Sequence, residues 1–257
     1  MNQILTQAWT AFRAGSLREV VRLLETNRSD SEEPQSIDTL VLLGRAYHDL
    51  GRPFEAADAL ERASLIGPIS DEARIVLASS YAELRRTDLA RELYLQLALS
   101  RRLPAELMLQ VAAGLSAIDA PELAMKVCEW ITEKDDSIAK AYYDMGVYSA
   151  LSGNALYLTE ALTRRAIQLD DANVHYRVGL VSLLIQLDRK DEALEAFSTV
   201  DESRVHTIEC VTCLQRIESL LRECGQSDSA DICQDRIDRL QADKARHEHP
   251  ASPGAIE

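Results

Sequence analysis

A pattern of small and large apolar residues returns about every 34 positions along this chain, and few folds accommodate such a period. The clearest copy is Asp38–Pro68, DTLVLLGRAYHDLGRPFEAADALERASLIGP, which carries Leu43-Gly44, Tyr47, Gly51, Ala56, Leu60, Ala63 and Pro68. The next copy reads Leu77-Ala78, Tyr81, Ala90, Tyr94 and Leu97, and the one after it Val111-Ala112, Leu115, Ala124, Cys128 and Ile131. Gly44, Ala78 and Ala112 recur where two helices must approach closely, and so do Ala56, Ala90 and Ala124. Large residues recur where the gap between helices has to be filled. A two-helix unit of this size cannot bury its apolar face alone, so the copies must stack.

The prolines test this division independently. Pro53 and Pro121 fall just inside second helices, and Pro68 and Pro104 at junctions between repeats. Proline is tolerated in a first turn but costs about 3 kcal/mol or more in a helix interior. Outside the clear copies, Met1–Pro34 reads as a degenerate first repeat, with Asn27–Ser36 as a polar loop. Residues 35–204 form the core repeats. In the fifth, Met145-Gly146 takes the close-packing place after a connection one residue longer than standard. In the sixth, Val178-Gly179 takes it on a longer first helix. Residues 205–240 read as a polar capping repeat, because Glu218 stands where a small residue is expected. Residues 241–257 read as a flexible tail after one further helical turn. Gly114 falls on a helix with no packing role assigned.

The repeat resembles the tetratricopeptide-repeat family, which Asp38–Pro68 matches at nearly every marked position. The resemblance implies an all-α, right-handed superhelical solenoid of about seven two-helix units. It also implies a non-catalytic scaffold or adaptor whose first helices line a groove for a peptide or partner helix. On the family's offsets that groove includes Trp9, Arg45, His48, Ile75, Leu109, Tyr143, Val147, Tyr176 and Leu180, with Leu5 and Val41 beside them. Tyr143 and Tyr176 are the expected aromatic anchors. The Lys and Asn clamp with which some members hold a C-terminal carboxylate has no counterpart, since its places carry Leu5/Trp9, Val41/Arg45 and Ile75/Ser79.

Nothing in the residues points to catalysis or a cofactor. There is no glycine-rich phosphate loop, and His48, His175 and His206 are far apart in the repeat count. Cys210 and Cys213 form a CxxC, but Cys224 and Cys233 do not complete a zinc-knuckle spacing, and redox CxxC motifs ordinarily open a helix in a βαβ setting. The formal net charge of -14 argues against a nucleic-acid partner. No apolar run approaches the roughly 18 residues of a membrane span. The N-terminus lacks signal-peptide features, and the odd cysteine count suits the reducing cytoplasm. The expected partner is therefore another protein. A secretion- or assembly-type chaperone and a self-associating module are the alternatives.

Overall fold

A computed structural model describes residues 3–30 and 35–248. Among the described residues the chain forms fourteen α-helices and one 3-10 turn, and it divides into two compact units, Met1–Lys134 and Asp135–Glu257.

The first unit contains four hairpins: α1 Gln3–Arg13 with α2 Leu17–Asp30, α3 Ile37–Asp49 with α4 Pro53–Ile66, α5 Asp71–Glu83 with α6 Thr87–Leu99, and α7 Ala105–Ala117 with α8 Pro121–Lys134. Pro53 and Pro121 occupy the first positions of α4 and α8, where no backbone donor is lost. Ser36 and Ser70 cap α3 and α5 by accepting the N–H of Thr39 and Ala73, each at 3.3 Å. Helix α2 continues through Asp30, so the loop expected from Asn27 begins later. Residues 31–34 lie outside the described residues.

The second unit contains α9 Ala139–Leu151 with α10 Leu156–Leu169, α11 Val174–Gln186 with α12 Lys190–Ser198, a 3-10 turn at Glu202–Thr207, and α13 Val211–Glu223 with α14 Ser227–Glu248. Helix α14 extends two turns beyond residue 240, so 241–248 are helical rather than a tail. Residues 249–257 lie outside the described residues.

One backbone device recurs in all seven hairpins. Each first helix ends on a residue with positive φ, in order Gly15, Gly51, Arg85, Asp119, Gly153, Asp188 and Gly225. The following N–H bonds back to a carbonyl five residues earlier, as in Arg52 to Tyr47 (2.9 Å), Arg86 to Tyr81 (2.8 Å) and Arg189 to Leu184 (2.9 Å). This Schellman closure satisfies carbonyls the helix would otherwise leave bare. It also supplies a register that owes nothing to side-chain similarity.

Seven residues before each landmark lies the close-packing position: Ala8, Gly44, Ala78, Ala112, Gly146, Val181 and Glu218. Ala8, Ala78, Ala112 and Val181 are fully buried, and a Cβ on Gly44 would stand 2.5 Å from the Leu60 side chain of α4. The sixth repeat is thus corrected. Val181, not Gly179, faces the second helix, and α11 has the same 13 residues as α3, α5, α7, α9 and α13. A recurring contact supports that frame. Arg74 of α5 donates to Gln96 of α6 (3.3 Å), and Arg177 of α11, at the matching place, donates to Thr199 just past α12 (2.8 Å).

The cores follow from the frame. In the first unit Ala8, Val20, Leu24, Leu42, Leu43 and Ala56 pack together, and Ala57, Leu60, Ala73 and Leu77 form a second cluster. In the second unit Val178, Val181, Leu184, Phe197, Leu214, Ile217, Leu221, Cys233 and Ile237 form one core. Each fully buried Leu or Ile contributes about 1.5–3 kcal/mol. Polar ties join successive repeats: Tyr81 donates to Glu61 at 3.0 Å, and Glu160 of α10 pairs with Arg189 at 2.5 Å. Gly114, unexplained by the pattern, lies against the ring of buried Tyr94, with no space for a Cβ between them.

Candidate functional site

In the first unit, the expected groove residues lie on α1, α3, α5 and α7. Trp9 and Phe12 meet edge-on with ring centroids 5.9 Å apart, and the Arg45 guanidinium lies 5.0 Å from the Phe12 ring and 5.9 Å from that of Trp9. Arg45 is therefore engaged between α1 and α3 by cation–π contact. Glu72 of α5 is held below the usual carboxylate range by backbone and Ser70 hydrogen bonds, with a smaller contribution from the Arg45 charge. His48 and Leu109 are half-buried, whereas Ile75 is buried in the stack.

In the second unit, α9 carries an outward stripe at helical spacing: Lys140, Tyr143, Val147 and Leu151. Lys140 pairs with Asp144 at 2.8 Å. The Tyr143 ring packs 4.8 Å from Tyr176 and 4.9 Å from His175 of α11, and its hydroxyl lies over Gly179. Burial, followed by the nearby Asp144 carboxylate, pushes the Tyr143 phenol up to about 12. The stripe then opens to solvent, with Val147 38% and Leu151 63% exposed. Tyr157 and Leu158, at the start of α10 and so at the same end of the hairpin, are exposed as well. These last three residues were absent from the sequence reading. Their signal was available, as an apolar run on both sides of the Ser152-Gly153-Asn154 turn.

The structure separates the two expected aromatic anchors. Tyr143 keeps one face near the surface, while Tyr176 and Leu180 are buried at 6% and 5% exposure. In the backbone frame the places matching Tyr143 and Val147 fall two residues further on, at Val178 and Ser182, which are buried as well. Leu180 lines a cleft of about 350 Å³ between α10 and α12. A separate polar cleft of about 570 Å³ is bordered by Asp170, Asn173, His175, Arg204, Thr207 and Glu209.

The cysteines are also sorted. A disulfide joins Cys210 and Cys213 at the start of α13, whereas Cys224 is exposed at the far end of that helix and Cys128 and Cys233 are buried. A helix of this length puts Cys224 roughly 20 Å from Cys210. Among the described residues, no group of three or more His, Cys, Asp and Glu is placed to hold a metal ion, and no helix is long and apolar enough to cross a membrane.

These features define a chain with the tetratricopeptide-repeat fold. A tetratricopeptide-repeat protein from Parabacteroides merdae superposes with a TM-score of 0.68 at 15% identity, covering 93% of this chain and 92% of that one. MamA gives 0.55 at 16% identity over 67% of this chain and 96% of its own. YrrB, described as a tetratricopeptide-repeat protein with an unusual peptide-binding site, gives 0.54 at 16% identity over 72% and 90%. No family model matches the sequence, and no curated relative does.

Proposed function

We propose that this chain is a non-catalytic interaction scaffold that binds a peptide segment or helix of another protein through the first-helix faces of its repeats. The observation that carries this reading is the α9 stripe, where Val147 and Leu151 stand exposed one turn apart beyond the packed Tyr143. Apolar side chains at that spacing suit a partner helix or extended segment with apolar side chains of its own. Trp9, Arg45, His48 and Leu109 offer a second, more polar face in the first unit. The peptide-binding site ascribed to YrrB supports the use of this fold for such a ligand. With a net charge of -14 the preferred partner is neutral or basic, and nucleic acid is not among the ligands. We place the protein in the cytoplasm.

The test is an affinity pull-down from the native host with wild type beside Val147→Glu/Leu151→Glu. A protein recovered by wild type alone supports the scaffold reading and identifies the partner. If both forms recover the same proteins, the α9 stripe is not the site. Self-association is the second reading, favoured by the same exposed side chains. It requires a mass in sedimentation that rises with concentration for wild type and not for the double variant.

A further inference from the structure

Cys210 is the N-cap of α13, and its sulfur accepts the backbone N–H of Cys213 at 3.2 Å. The two Cα atoms are 5.3 Å apart, inside the span a disulfide requires, and the bond is made. Both residues are half-buried, so a small reagent can reach them, and Cys213 leans on the core that begins one turn later with Leu214 and Ile217. A loop this short restrains the unfolded chain little, so the bond is a poor structural staple. The polar cleft bordered by Arg204, Thr207 and Glu209 ends at the residue preceding Cys210.

We propose that Cys210 and Cys213 are a redox-active dithiol that exchanges with a low-molecular-weight disulfide. In the reduced protein the Cys213 N–H and the start of the helix stabilise the Cys210 thiolate. Glu209 precedes this turn and shares the adjoining cleft with Arg204, Arg236 of α14 donates to the Ile208 carbonyl at 2.8 Å, and Arg216 of α13 donates to Ser182 at 2.8 Å. The Cys210 thiolate attacks one sulfur of the reagent, forms a mixed disulfide and expels one thiolate. Cys213, losing its proton, then attacks the Cys210 sulfur and expels the second. Two protein thiols and one reagent disulfide become one protein disulfide and two reagent thiols, so two electrons pass to the reagent. Cys224 and Cys233 take no part, being remote and buried respectively.

The full chain, reduced and desalted, would be equilibrated with mixtures of reduced and oxidised glutathione. Free thiols would then be alkylated and counted by intact mass and peptide mapping. The expected result is a single step from five free thiols to three, with Cys210 and Cys213 lost together and restored by dithiothreitol. Cys213→Ser should instead accumulate one glutathione on Cys210, and Cys213→Ala provides the same trap should the serine disturb the fold. In the reduced protein at pH 7, Cys210 at the helix start should alkylate faster than exposed Cys224. Five thiols persisting in oxidised glutathione would overturn the proposal. So would a bridge that dithiothreitol cannot open in the native fold, or a first adduct on Cys224.

Discussion

The Tyr143 phenol lies over Gly179, and a Cβ added to that glycine would stand 2.6 Å from the hydroxyl oxygen and 2.9 Å from a ring carbon. Tyr143 is itself held against Tyr176 and His175, so its ring cannot swing aside freely. Two effects of Gly179→Ala therefore compete. Alanine gains about 1 kcal/mol of helix propensity in α11, while forcing a methyl into a filled space costs about 1–3 kcal/mol. The clash wins in the wild type, and Gly179→Ala should lower stability in urea melts. In a Tyr143→Ala background the obstacle is gone, and the same change should raise stability by about 1 kcal/mol. Equal signs in the two backgrounds would disprove the contact.

Ala56 is fully buried on α4, within the cluster that includes Leu42, Leu43 and Ala59. Two helices meet here with no room for a branched side chain. Ala56→Leu should destabilise the chain by about 1–3 kcal/mol. Chemical denaturation measures this directly, and an unchanged midpoint would mean that α3 and α4 do not pack through this face.

Most of the architecture could be read in the sequence because the close-packing places obey simple volume rules. Gly44, Ala78 and Ala112 are small for a reason that survives in the structure, and Pro53 and Pro121 begin helices as the pattern required. The frame was lost in the sixth repeat. Gly146 and Gly179 are 33 residues apart, whereas the backbone landmarks Gly153 and Asp188 are 35 apart. Gly179 is small because Tyr143 covers it, and Asp188 marks the turn without being glycine. Both signals mislead a reader who looks only for small residues. That two-residue slip moved Tyr176 and Leu180 onto the expected groove, whereas the places matching Tyr143 and Val147 are held by the buried Val178 and Ser182. Similarly, Gly114 could not be understood until Tyr94, twenty positions earlier, was seen against it. Long-range contacts of this kind leave no periodic trace.

The structure predicts opposite outcomes for two glutamate substitutions on the first helices of the second unit. Tyr176→Glu places a carboxylate at a site only 6% exposed, against the Tyr143 ring, and should cost about 3 kcal/mol or more. Leu151→Glu alters a side chain 63% exposed and should shift stability by no more than about 0.5 kcal/mol. Thermal melts followed by circular dichroism distinguish them. If Tyr176→Glu melts like wild type, the register assigned to α11 is wrong.

His175 provides a pH test of the same cluster. Burial lowers its pKa first, followed by the nearby Lys140 charge, with Asp144 and Glu209 opposing. Because the folded value lies below the unfolded one, near 6.5, protonation favours the unfolded state. This penalty is absent at pH 7 and grows as the pH falls below about 6.5, levelling once the folded-state value is passed. Carboxylates titrate over part of this range, so the informative quantity is the difference between wild type and His175→Gln. Between pH 7 and pH 5 the wild type should lose more stability than the variant, and the His175 ring should titrate by NMR with a midpoint below 6.5. A difference that stays constant over this interval, with an unshifted midpoint, would mean that the imidazole is solvated instead of packed against Tyr143.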